Sequence, residues 1–67
     1  MAVTRWEAAT LEQGKVIIIN VVTGEKWEVD AEELSLLPPD DFGNVYAVVN
    51  KTLVFVRPLV AEALRRL

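Results

Sequence analysis

The chain has 67 residues, 52% of them hydrophobic, and it contains no cysteine and no histidine. Without these residues it cannot form a disulfide framework, an ordinary zinc site, or a Ser–His–Asp or Cys–His catalytic arrangement within one chain. The net charge of −3, with no run of lysine or arginine, disfavours general binding to nucleic acid. A chain of this size forms one domain, close to the lower limit at which a single core sustains a fold.

The amino-terminal segment is compatible with a helix or with a strand. Residues 4–7 resemble a capping box and Gly14 could end a helix, whereas residues 11–15 resemble a hairpin loop with Gly14 in the left-handed conformation. We favour a strand within residues 3–11, because it gives residues 16–22 a second neighbour. One face of that strand would carry Trp6, Ala8 and Thr10.

Residues 16–22 are apolar at every position except Asn20, whereas a strand with one wet face would alternate. Both faces of this strand need cover, and so short a chain has little left to supply it, which points to self-association. A two-residue turn at positions 23–24 would pair Asn20 with Trp27 and Ile18 with Val29. One face of this hairpin is then an apolar core made of Val16, Ile18, Val22, Trp27 and Val29. The other face sets three apolar side chains beside charges: Ile17, Ile19 and Val21 against Lys26, Glu28 and Asp30.

Asn20 stands out among its apolar neighbours and, if buried, must be hydrogen-bonded. Either its amide is satisfied near a strand edge or opposite Trp27, or it sets the register of a subunit interface. In the second case we expect Asn20→Val to raise stability and to loosen the specificity of oligomerisation.

A short helix is predicted from Ala31 to about Leu37. Asp30 and Glu33 have the spacing of a capping box, and the two prolines at positions 38 and 39 would stop the helix. Residues 40–43 then form a loop, with Phe42 as its hydrophobic anchor.

Residues 44–57 are predicted to form a second hairpin that turns at Asn50 and Lys51. One face would carry Val45, Ala47, Val49, Val54 and Val56, and the other Tyr46, Val48, Leu53 and Phe55. Pro58 suits the first turn of a helix. The apolar side of this amphipathic helix would consist of Leu59, Val60, Ala63, Leu64 and Leu67. Such a helix can cover one face of a sheet but not two.

This order of elements resembles a family of small bacterial domains of unknown function. The features that carry the resemblance are a first strand, a loop ending in Gly14 and Lys15, the strand 16–22, the turn 23–25, the strand 27–30, a short helix and an Asp-Phe loop. The resemblance implies a β-meander, a capped helical turn, a further hairpin and a proline-led carboxy-terminal segment. It brings no catalytic residues.

Acidic side chains are the remaining source of catalytic or metal chemistry, because carboxylate pairs can bind Mg²⁺ or Ca²⁺. They lie in two clusters, Glu28, Asp30, Glu32 and Glu33, and then Asp40 and Asp41. Their spacing matches no cation loop, Ser35 has no base beside it, and the three glycines are isolated turn residues rather than a phosphate-binding loop. We therefore expect no metal, no cofactor and no catalytic site.

Neither a targeting segment nor a membrane segment is predicted. The start lacks a charged stretch followed by an apolar core, and the longest apolar run is far shorter than the roughly 20 residues that span a bilayer. The lack of cysteine fits a reducing cytosol. We expect a cytoplasmic protein without membrane contact.

Together these patterns predict a single α+β domain over residues 1–67. It would contain a small twisted antiparallel sheet, made of two β-hairpins plus an N-terminal strand, with a short middle helix and a C-terminal amphipathic helix. The expected function is non-catalytic self-association as a homodimer, through a contact surface that uses Ile17, Ile19, Val21, Tyr46, Val48 and Leu53. Two alternatives are a small acidic regulatory subunit, of antitoxin or inhibitor type, that binds a larger protein, and a structural subunit of a larger assembly.

Overall fold

The computed structural model describes residues 5–67, so Thr4, the start of the alternative helix, lies outside it. Within these residues, a curled six-stranded sheet and one α-helix make up the fold, which confirms the α+β class. The strands are β1 (Trp6–Glu12), β2 (Lys15–Asn20), β3 (Lys26–Asp30), β4 (Ser35–Leu36), β5 (Val45–Val49) and β6 (Thr52–Val56), and helix α1 spans Pro58–Arg65. Their order across the sheet is β3-β2-β1-β6-β5-β4.

Strands β1 and β2 form a hairpin around Gln13 and Gly14. Both residues have positive φ, 52° and 76°, as in the type I′ turn whose twist matches that of the flanking strands. The amino-terminal segment is therefore a strand, as predicted, over Trp6–Glu12.

A β-bulge at Ala9 changes which side chains of β1 face the core. The register shifts between Ala8 and Thr10, so Thr10 lies opposite Ile17 and Leu11 lies opposite Val16. The prediction that Thr10 shares a face with Trp6 and Ala8 is therefore wrong. An inserted residue reverses the alternation beyond it, and alternation alone does not reveal a bulge.

Strands β2 and β3 pair two residues away from the predicted register. The observed partners are Ile18 with Trp27, Val16 with Val29, Ile17 with Glu28, and Ile19 with Lys26. Because the shift is an even number of residues, the side chains of both strands keep their predicted faces.

The shift arises because the loop between β2 and β3 is longer than the predicted two residues. The N–H of Asn20 donates to the carbonyl of Glu25 at 2.8 Å, and the N–H of Gly24 donates to the carbonyl of Asn20 at 2.7 Å. Residues 21–24 thus form the loop. Val22, which was predicted to join the core, lies in this loop and is exposed.

The centre of the sheet is a parallel pair of strands, β1 and β6. Glu7 lies opposite Phe55 and Ala8 opposite Val56, and the N–H of Arg57 donates to the carbonyl of Ala8 at 3.3 Å. The sheet is therefore mixed rather than wholly antiparallel. This pairing joins distant segments, so no turn or local pattern in the sequence signals it.

The predicted middle helix is wrong beyond its first turn. Ala31–Glu33 form a single 3₁₀ turn, and Leu34 is already extended, with φ −85° and ψ 125°. The carboxylate of Glu33 does accept the N–H of Asp30 at 3.2 Å, as a capping box requires. So short a helix forms few hydrogen bonds, and β4 instead pairs with the edge of β5.

The second hairpin matches its prediction in turn and register. Asn50 and Lys51 have φ of 54° and 63°, again a type I′ turn, and Val49 pairs with Thr52. The inward side chains of β5 and β6 are the predicted ones. Of these, Ala47, Val49, Val54 and Val56 are buried.

Helix α1 packs across the inner side of the sheet through Val60 and Ala61, both buried, and through Leu64. The prediction that Leu59 and Leu67 belong to its apolar side is wrong, because Leu59 is 82% exposed and Leu67 is 77% exposed. Leu59 lies in the first turn of α1 and Leu67 lies two residues beyond its last residue, Arg65, so neither joins the buried side formed by Val60, Ala61 and Leu64. Within residues 5–67, no helix has both the length and the apolar character to cross a membrane.

Candidate interaction surface

The side of the sheet that faces away from α1, here called the outer face, carries most of the predicted interface residues. Side chains alternate along a strand, so the neighbours of the buried residues Val16, Ile18, Ala47 and Val54 point outward. The outer face thereby holds Ile17 and Ile19 on β2, Tyr46 and Val48 on β5, and Leu53 on β6. Val21 lies in the loop after β2 and is exposed there.

Two apolar patches form on the outer face, one on each side of β1. The β2 patch consists of Ile17 and Ile19, which are both half-buried. The β5–β6 patch consists of Tyr46, Val48, Leu53 and Phe55. In it the Tyr46 and Phe55 rings meet edge to face, with centroids 5.6 Å apart, and Leu53 is 57% exposed.

Between the patches lies an ion pair that sequence reasoning missed. The Nε of Arg57 donates to Glu7 Oε1 at 2.9 Å, and the Nε of Arg5 lies 3.5 Å from Oε2 of the same carboxylate. The Glu7 side chain is only 13% exposed, between its neighbours Ile19 and Phe55. Both carboxylate oxygens therefore have cationic partners within this otherwise apolar surface.

A second ion pair joins the first residue of β2 to the last residue of β3. Lys15 and Asp30 lie opposite each other at the end of the strands, and the ammonium donates a hydrogen bond to the carboxylate. This hydrogen bond, followed by the attraction of the negative charge, raises the pKa of Lys15 above its ordinary value. The β2 patch is thus bordered by charges, as the sequence predicted.

Asn20 ends β2 and is 1% exposed. Its side-chain oxygen accepts the N–H of Val22 at 2.9 Å and the N–H of Thr23 at 3.1 Å, so it organises the loop that follows. This geometry matches the first of the two alternatives for Asn20, a satisfied side chain near a strand end. Near it, the rings of Trp6 and Trp27 lie 4.3 Å apart.

The prediction that Phe42 anchors its loop is wrong, because its side chain is 89% exposed. The loop is instead held by Asp40, whose side-chain oxygen accepts the N–H groups of Phe42 and Asn44, each at 2.9 Å. The backbone adds a bond from the N–H of Asp40 to the carbonyl of Asn44 at 3.0 Å. A loop closed by its own polar groups needs no apolar anchor.

A groove of about 570 Å³ opens beside the end of α1, at the 3₁₀ turn and β4. Its apolar lining comes from Ala31, Leu34, Leu36, Leu64 and Leu67, and its polar lining from Asp30, Glu32 and Gly14. Sequence reasoning missed it, because part of the lining is the extended strand β4, where a helix was predicted.

Nothing in the described part of the chain brings three or more acidic side chains close enough to hold a metal ion. Comparisons with protein-family models, with curated proteins and with solved structures find no match to this chain. The resemblance to a family of small bacterial domains therefore stays a prediction. The surfaces described above are what bears on function.

Proposed function

We propose that this chain is a non-catalytic protein-interaction module that acts in the cytoplasm and self-associates as a homodimer through its outer face. The observation that carries the proposal is the placement of the predicted contact residues. Five of the six lie on the face that α1 leaves uncovered, and Leu53 among them is 57% exposed. Apolar surface of this kind gains about 25 cal/mol per Å² when it leaves water.

The size of a stable interface determines how much of the outer face must take part. Such interfaces bury roughly 800 Å² on each partner. Neither patch reaches that area from its few side chains, so the dimer has to cover both patches together with the Glu7 ion pair between them. A carboxylate that already has two arginine partners can enter such an interface without becoming an unpaired buried charge.

Light scattering coupled to size-exclusion chromatography, across a dilution series, tests the proposal. We expect a dimer at high concentration that dissociates on dilution. Leu53→Lys should raise the dissociation constant about tenfold or more, because it places an unpaired charge in the apolar contact. Leu59→Lys is the matched control: it changes an exposed leucine of α1, away from the outer face, and should leave dimerisation unchanged.

Two results contradict the proposal. One is a monomer at every concentration of the unmodified protein. The other is a dimer that Leu53→Lys and Leu59→Lys weaken equally, because the contact then lies elsewhere.

A further inference from the structure

The groove beside α1 combines an exposed apolar lining with carboxylates at its rim. Leu36 and Leu67 leave much of their surface in contact with solvent, while Leu34 and Leu64 are half-buried below them. Its volume of about 570 Å³ falls within the range of roughly 300–1,000 Å³ typical of binding pockets. It is therefore large enough to receive apolar side chains from another molecule.

The charges of the groove are negative and only partly neutralised. Asp30 and Glu32 are the charged lining residues, and no lysine or arginine among residues 5–67 lines the groove. Asp30 is engaged by Lys15, and Glu33 next to the groove accepts the N–H of Asp30. Glu32 is exposed and forms no ion pair with any residue from 5 to 67.

We infer that this groove binds a cationic amphipathic segment of a partner protein. Its leucines accept apolar side chains spaced three or four residues apart on the segment, as in helix-in-groove recognition. A lysine or arginine beside those side chains then meets Glu32. The inference does not depend on self-association, because none of the six predicted contact residues lines the groove.

The sign of the rim distinguishes this occupant from a second copy of the chain. A symmetric contact pairs this surface with the same surface of the second copy, and neither groove lining, within the described chain, then offers a lysine or arginine to meet Glu32 of the other. A second copy therefore supplies no opposite charge to the rim from this surface. A cationic partner meets the same rim with the opposite charge.

The test titrates the full chain, labelled with ¹⁵N, with a helical peptide of leucine and lysine whose leucines recur every three or four residues. The three glycine amides provide internal controls, because Gly14 lines the groove while Gly24 and Gly43 do not. We expect the Gly14 resonance to shift with saturation while the other two stay in place. A scrambled peptide of the same composition should bind roughly tenfold more weakly, since its leucines no longer share a face.

Two pairs of variants separate the groove from general attraction to an acidic protein. Leu67→Asn and Glu32→Lys should each weaken the peptide roughly tenfold, through lost apolar contact and reversed charge respectively. Leu59→Asn and Glu25→Lys change equally exposed types of side chain outside the groove and should leave the affinity unchanged. Equal weakening within either pair, equal binding of the scrambled peptide, or a Gly14 resonance that does not move overturns the inference.

Discussion

Replacing Asn20 by alanine is expected to lower the free energy of unfolding by about 2 kcal/mol, because two hydrogen bonds are lost. The side-chain oxygen accepts the N–H of Val22 at 2.9 Å and that of Thr23 at 3.1 Å. A neutral hydrogen bond contributes about 1 kcal/mol net. Val22 and Thr23 are exposed, so water can reach the freed N–H groups and no larger desolvation penalty is added.

Asn20→Val should lower the free energy of unfolding by less than Asn20→Ala does. The apolar side chain of valine fills a site that is 1% exposed and so regains about 1 kcal/mol. The net loss is then about 1 kcal/mol, a fall of roughly 4–8 °C in melting temperature for a domain of this size. This is opposite in sign to the change expected under the second sequence interpretation, in which Asn20 sets the register of a subunit interface. The difference comes from the two loop N–H groups that valine cannot bind.

Chemical denaturation measures the change in the free energy of unfolding for each Asn20 variant. Hydrogen exchange at the amides of Val22 and Thr23 shows whether that change comes from loss of the two loop hydrogen bonds. Both amides should exchange faster in either Asn20 variant. Thr23→Val is the control, because it removes only one hydrogen bond, from the Glu25 N–H to the exposed Thr23 hydroxyl at 3.2 Å. It should lower the free energy of unfolding by less than Asn20→Ala does. The reasoning is refuted if Asn20→Val is as stable as the unmodified chain and both amides exchange at unchanged rates.

Two further predictions concern the hairpins. Because the pKa of Lys15 is raised in the folded state, its ion pair stabilises the fold fully below the unfolded pKa of about 10.4 and less as pH rises through the folded value. The stability difference between the unmodified chain and Lys15→Gln should therefore be constant near neutral pH and vanish in strongly alkaline solution, and denaturation curves that show a constant difference would contradict this. Lys51→Gly should raise the free energy of unfolding by about 1 kcal/mol, because glycine adopts positive φ without the penalty that lysine bears at 63°. Thr52→Gly, in the neighbouring extended position, should lower it, and a Lys51→Gly variant that also loses stability would argue against the type I′ turn.

Local signals in the sequence predicted the elements that depend on neighbouring residues. The turn at Asn50 and Lys51 and the two faces of that hairpin follow from alternation and turn chemistry. The loop after Asn20 was predicted two residues too short, yet the strands kept their faces because alternation has a period of two. Patterns of this kind depend on only a few neighbouring residues, so the predicted faces stay correct when the register is wrong by two residues.

The remaining features depend on contacts between distant segments. The segment predicted as helix is extended at Ser35 and Leu36, where it pairs with the edge of β5 instead of continuing a helix of weak propensity. The carboxylate of Glu7 is paired within the candidate surface because Arg57, fifty residues away, lies beside it. Its alternation with Trp6 and Ala8 indicated an outward position, but no sequence pattern indicated its partner.

The parallel pairing of β1 with β6 has a consequence for the order of folding. Glu7 pairs with Phe55, so β1 lacks its second neighbour until β6 has been synthesised. During that time the middle strand of the eventual sheet presents an unpaired edge, which is the type of surface that promotes misassembly between nascent chains. Long sequence separation between partners also slows folding. A chain shortened before Phe55 would therefore lose the middle of its sheet rather than its margin.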